Sequence, residues 1–127
     1  MIRILYVEDS EVYQRELRRL LEKEKALDFT LDTAINIEEA ITYVESKQYD
    51  FIFIDVTIEQ GSQHLPFLGC FPNGTALARY LRGKTNARMI AASASSLREQ
   101  DGDGFDDLVL KPFWHRGNAL KRILEGN

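Results

Sequence analysis

Apolar residues in this chain fall into short runs that alternate with helical patterns. The run 2–7 is apolar apart from Arg3 and stops at Glu8-Asp9-Ser10. A run this short, rich in Ile and Val, predicts a buried strand. Ser10 is a candidate N-cap for a helix whose inner face carries Tyr13, Leu17, Leu20 and Leu21. Phe29, Leu31 and Thr33 alternate with polar neighbours, which predicts a second strand. Asn36 can cap a helix that turns Ile37, Ala40, Ile41 and Val44 inward. Phe51-Ile52-Phe53-Ile54 is the most apolar run; it predicts a central strand that delivers Asp55 at its end.

Residues 58–73 contain glycines, prolines and polar residues and predict a loop. A helix is expected over about 74–82 with Ala76, Leu77, Tyr80 and Leu81 inward, and a fourth strand over 89–92 ending at Ser93. A short helix at 95–100 is stopped by Asp101-Gly102-Asp103-Gly104. A fifth strand at 108–110 ends at Lys111-Pro112, and a last helix covers about 114–124. Five strands alternating with five helices imply a doubly wound α/β fold: a five-stranded parallel sheet with helices on both faces.

Bulk properties narrow the classes. At 127 residues one domain is expected, over 1–127, large enough for a core without staples. The net charge of −4 argues against direct nucleic-acid binding, which needs a basic surface. With one cysteine, Cys70, no internal disulfide forms, which fits a reducing cytoplasm. Glu8 and Asp9 interrupt the first apolar run too early for a signal peptide, and no apolar stretch is long enough to span a membrane.

Four inferred strands end in reactive groups: Glu8-Asp9, Asp55, Ser93 and Lys111. Ligand sites of doubly wound sheets form at the carboxyl ends of strands, so these residues are expected to meet in one crevice. Three carboxylates at one point repel each other unless a cation is present. An all-oxygen set of this kind suits Mg²⁺, with Mn²⁺ as a substitute. A lysine and a hydroxyl can hold phosphate oxygens beside it, and aspartate is an established nucleophile for acyl phosphate formation. Taken singly, each residue has a plainer reading: solvated acids after a strand, a turn-capping Asp, a strand-ending serine, a surface lysine. Their joint placement disfavours four unrelated loop residues.

The runs Ile4-Leu5-Tyr6-Val7-Glu8-Asp9-Ser10, Phe51-Ile52-Phe53-Ile54-Asp55, Met89-Ile90-Ala91-Ala92-Ser93-Ala94 and Asp106-Asp107-Leu108-Val109-Leu110-Lys111-Pro112-Phe113 resemble the receiver domains of two-component response regulators. The resemblance spans nearly the whole chain in order. It implies the flavodoxin-like, CheY-like strand order 2-1-3-4-5. It also implies that Asp55 is the phosphoacceptor, that Glu8, Asp9, Asp55 and the Thr57 carbonyl hold Mg²⁺, that Ser93 is the switch hydroxyl and that Lys111 binds the phosphoryl group. Pro112 matches a frequent cis Lys-Pro position. The implied donor is a histidine kinase or phosphotransfer protein, and the output is a change in binding to an unidentified protein target. No direct nucleic-acid partner and no membrane partner is expected. A receiver of this kind is no conventional enzyme; it catalyses only its own phosphorylation and dephosphorylation. The chain stops just after the last helix, so no output domain is expected.

Three features depart from the family pattern. About ten extra residues precede Gly74, giving an inserted loop at about 58–73. The segment between Ser93 and Lys111 is short, so its helix is stunted. Leu108 stands where the family has an aromatic switch residue. These departures keep open an alternative: a pseudo-receiver acting as a phosphorylation-independent interaction module. A haloacid-dehalogenase-like phosphatase is disfavoured because Thr57 stands where that family has a second Asp. An FMN-binding flavodoxin is disfavoured because no hydroxyl- and Gly-rich loop follows the first strand. His64 and Cys70 alone make no zinc site. Leu65, Phe67, Leu68 and Phe71 are expected to pack over the domain. Trp114 is a candidate contact residue if exposed, and Lys121 and Arg122 read as a solvated face near a helix end.

Overall fold

The computed structural model describes residues 1–24, 27–58, 73–93, 104–110 and 117–125. Along the chain run β1 (Ile2–Val7), α1 (Glu11–Glu22), β2 (Phe29–Ala34), α2 (Ile37–Ser46), β3 (Phe51–Asp55), α3 (Asn73–Leu81), β4 (Arg88–Ser93), β5 (Asp107–Leu110) and α4 (Gly117–Leu124). All five strands are parallel, in the order β2-β1-β3-β4-β5. The expected short helix at 95–100 and most of the inserted loop lie outside the described residues, as do residues 114–116 of the expected last helix.

Alternation along the central strands builds two cores. Leu5 and Val7 of β1, Ile52 and Ile54 of β3 and Met89 of β4 pack with Ile37 and Ala40 of α2 and Leu77, Ala78 and Leu81 of α3. Ile4 and Tyr6, Phe51 and Phe53, and Ile90 and Ala92 point the other way, onto Leu17 and Leu21 of α1 and Leu120 and Ile123 of α4. Helices therefore cover both faces, which is why β1, β3 and β4 read as continuous apolar runs. Replacing a core leucine such as Leu17 with alanine is expected to cost about 2–5 kcal/mol.

The helix starts follow different local rules. Asn36 caps α2 as expected: its side chain accepts from the Glu39 N–H at 2.8 Å. Ser10 stands at the N-cap of α1 in an extended conformation but makes no side-chain cap bond, contrary to expectation. Its backbone N–H donates to Glu8 Oε2 at 3.1 Å. Gln14 then reaches back and donates its Nε2–H to the Glu8 carbonyl at 2.6 Å. On α4, Lys121 and Arg122 are exposed in the last turn, as read from the sequence.

Candidate functional site

Strand register brings the acids together. Tyr6 lies beside Phe53 and Val7 beside Ile54, so Glu8 and Asp55 follow side by side as β1 and β3 reach their carboxyl ends. Asp55 is itself level with Ala92, which places Ser93 one step further along the neighbouring strand. Ser93 is in turn level with Leu110. Lys111, the next residue, and Pro112 lie outside the described residues.

Glu8, Asp9 and Asp55 each offer a carboxylate oxygen, and these oxygens lie within 4.8 Å of one another. Among the described residues this is the group that could hold a metal ion. Glu8 is 1% exposed and Asp55 6%, whereas Asp9 is exposed. The cluster thus has a buried floor and an open rim. Its donors are all hard oxygens, and the open side leaves room for water. That is the chemistry Mg²⁺ requires, since it binds through few carboxylates and keeps several waters. Burial of like charges also makes a cation the natural relief of their repulsion. The starts of α1 and α3 adjoin the cluster, so both helix dipoles favour negative charge there.

Asp55 is held from its own strand end. Both the N–H and the Oγ1–H of Thr57 donate to Asp55 Oδ1, each at 3.1 Å. Thr57 was expected to matter through its backbone carbonyl; its amide and hydroxyl are what hold Asp55 here. On the other side Gly74, in the first turn of α3, donates its N–H to the Val56 carbonyl at 2.7 Å. Ser93 is buried at the end of β4.

Tyr6 was counted in the sequence only as a strand residue. Its hydroxyl donates to Glu8 Oε1 at 3.0 Å, and its ring meets Phe53 edge-on with centroids 6.3 Å apart. Burial, above all, pushes the Tyr6 phenol far above its usual pKa, with the Glu8 charge and hydrogen bond next and Asp55 and Tyr13 adding to it. The signal that could have found it is the spacing: Tyr6 and Glu8 are two apart on one strand and so share a face.

An all-parallel 2-1-3-4-5 sheet with an acidic cluster at its carboxyl end defines the CheY-like class of flavodoxin-like α/β proteins. The response regulator receiver domain model matches residues 4–124, and the chain belongs to that family. Among solved structures it is similar to a CheY-like receiver domain from Methylobacillus flagellatus, at 24% identity and TM-score 0.78, covering 99% of this chain and 98% of that one. It is similar to the response regulator TrrA of Thermotoga maritima, solved with Mg²⁺ and BeF, at 29% identity and TM-score 0.72, covering 99% and 98%. A third is the receiver domain of a sensor histidine kinase from Pseudomonas aeruginosa, with magnesium in its active-site cleft, at 23% identity and TM-score 0.72, covering 98% and 94%. The comparison with curated proteins gave no match. No helix among the described residues is long and apolar enough to cross a membrane.

Proposed function

We propose that this receiver domain is a phosphorylation switch in which Asp55 takes a phosphoryl group from a histidine kinase or phosphotransfer protein. The observation that carries this reading is the convergence of Glu8, Asp9 and Asp55 within 4.8 Å. Glu8, Asp9 and Asp55 would hold Mg²⁺, or Mn²⁺ in its place, with the Thr57 carbonyl as a further ligand. When bound, the ion would supply neutralisation of charge on the phosphoryl oxygens.

An Asp55 carboxylate oxygen attacks phosphorus and forms the acyl phosphate O–P bond. The donor's N–P bond breaks, and its electron pair returns to the imidazole, which takes up a proton. Thr57 fixes the carboxylate orientation through Oδ1. Ser93 and Lys111 are assigned to the phosphoryl oxygens, the first as switch hydroxyl and the second as cationic anchor. Hydrolysis reverses the modification: water attacks phosphorus and Asp55 leaves as carboxylate. The protein thus catalyses only its own phosphorylation and dephosphorylation, in the cytoplasm, and its output is altered binding to a protein target.

The resemblance to the Thermotoga and Pseudomonas proteins, both solved with magnesium, supports the metal assignment. The second reading, a phosphorylation-independent interaction module, draws on Leu108. It is a 40% exposed leucine on β5, where the family has an aromatic switch residue. One experiment separates the two. Incubation with acetyl phosphate and Mg²⁺ is expected to add one phosphoryl group to the parent and none to Asp55→Asn. A parent that stays unmodified with or without Mg²⁺ favours the interaction module, and a labelled Asp55→Asn protein moves the phosphoacceptor elsewhere.

A further inference from the structure

Glu8 raises a geometric question that Asp9 and Asp55 do not. Its side chain is one methylene longer than an aspartate, which adds a torsion and widens the positions its oxygens can take. It is also buried, so each carboxylate oxygen needs a partner. Partners for both oxygens come from the chain on either side of it. Oε2 accepts from the Ser10 N–H at 3.1 Å, and Oε1 accepts from the Tyr6 hydroxyl at 3.0 Å.

Tyr6 is suited to this by its place in the sheet. It is fully buried in β1, and its ring is fixed against Phe53 on the neighbouring strand. Tyr6 and Glu8 point to the same face, two residues apart, a rise of about 7 Å along the strand. The length of the tyrosine and the extra methylene of the glutamate together close that gap. An aspartate at position 8 is one methylene shorter and is expected to lose this bond.

We propose that Tyr6 is a positioning residue for the metal centre, its hydroxyl clamping Glu8 Oε1 so that the glutamate presents its carboxylate in one orientation. This rests on the assignment of Glu8, Asp9 and Asp55 as the Mg²⁺ site. Partners of this kind around a metal ligand govern affinity through ligand orientation. The demand falls unequally on different ions. Mg²⁺ requires near-ideal octahedral geometry, whereas Ca²⁺ accepts irregular shells. A loosened Glu8 therefore penalises Mg²⁺ more than Ca²⁺, which a general loss of structure does not do.

The test is a titration of the parent, Tyr6→Phe, Glu8→Asp, the double variant and Asp9→Asn with Mg²⁺ and with Ca²⁺, followed by calorimetry. Melting temperatures without metal are measured in parallel. Phenylalanine keeps the ring and its contact with Phe53, so the fold is retained. Tyr6→Phe is expected to weaken Mg²⁺ binding about tenfold and Ca²⁺ binding far less. In the Glu8→Asp background, adding Tyr6→Phe is expected to change Mg²⁺ affinity no further, because the clamp is already gone. Parent-like Mg²⁺ affinity in Tyr6→Phe, an equal loss for both ions, or additive losses in the double variant each overturn the clamp. These outcomes leave the metal site standing if Asp9→Asn has lost Mg²⁺ binding. A parent that binds no Mg²⁺ overturns the metal site and the clamp with it.

Discussion

Gly74 sits against the backbone of Asp55 with no room for a side chain. A Cβ on Gly74 would lie 2.5 Å from Val56 Cα and closer still to the Asp55 carbonyl oxygen. Both obstacles are backbone atoms, so no rotamer change relieves them. The close approach lets the Gly74 N–H reach the Val56 carbonyl and ties the start of α3 to the end of β3.

Gly74→Ala therefore sets two effects against each other. Alanine is favoured over glycine in a helix by about 1 kcal/mol. Overpacking costs about 1–3 kcal/mol, and here the neighbours are main chain that cannot turn aside. The steric term is expected to win. Urea unfolding should show a net loss of about 1–2 kcal/mol, together with slower labelling of Asp55 by acetyl phosphate. A more stable, normally labelled variant would mean that α3 does not approach Asp55 so closely.

Thr57→Val isolates the hydroxyl that reaches Asp55. The substitution keeps the shape and the amide bond but removes the Oγ1–H donor to Oδ1. Thr57 is exposed, so water replaces the lost bond and the stability change should stay below about 1 kcal/mol. Labelling is another matter, because Asp55 Oδ1 then loses one of the donors that orient it. A several-fold slower phosphorylation at unchanged melting temperature is expected. Equal rates in rapid-quench labelling would leave Thr57 with no part in orienting the carboxylate.

Acid stability should depend on Asp32, away from the site. Burial opposes its charge, but the Tyr49 hydroxyl at 2.6 Å and Lys47 Nζ at 3.1 Å outweigh that, with Arg18 adding attraction, and hold the carboxyl below its usual range. A carboxyl depressed in the folded state stabilises fully above its unfolded pKa of about 3.9. That contribution is lost as pH falls through the lower folded value. Asp32→Asn is accordingly expected to flatten the acid limb of the urea midpoint against pH below about pH 4, with little change in its slope above that range. Identical acid limbs for parent and variant would exclude Asp32 as a source of acid sensitivity.

These residues also show which features the linear pattern carries. The strands were legible because the central parts of β1, β3 and β4 are buried on both faces and so read as short, largely apolar runs. Glu8, Asp9 and Asp55 were legible as strand-ending acids, since the parallel sheet itself sends strand ends to one edge. What escaped depends on contacts that form only in the folded chain. Ser10 stands at the N-cap of α1 but makes no side-chain cap bond, and its N–H donates to the Glu8 carboxylate. Gly74 looked like a helix start, yet its closeness to Asp55 arises only when α3 docks. The fifth strand begins at Asp107, one residue before its apolar run. Asp106 exchanges two bonds with Met89, its N–H to the carbonyl at 2.7 Å and its Oδ2 from the amide at 2.9 Å, so pairing starts before the pattern does.

The inserted segment offers the broadest prediction. Its described ends are both anchored at the site. Ile58, 1% exposed, donates its N–H to the Asp55 carbonyl at 3.2 Å, and α3 resumes at Asn73, beside the Gly74 bond to Val56. Between these anchors the sequence carries Leu65, Phe67, Leu68 and Phe71, whose full exposure would be costly. A segment so anchored and so apolar is expected to shield the acyl phosphate from hydrolytic water or to contact a specific partner. Replacing residues 62–71 with a short Gly-Ser linker should then leave the fold intact, because both anchors lie outside the exchanged stretch. The phosphoryl lifetime should change several-fold, or binding to the phosphorylation-dependent target should be lost. The measurement is the decay of phosphorylated Asp55 after removal of acetyl phosphate, with circular dichroism as the control for folding. A decay rate and target binding equal to the parent's would reduce the segment to an inert insertion.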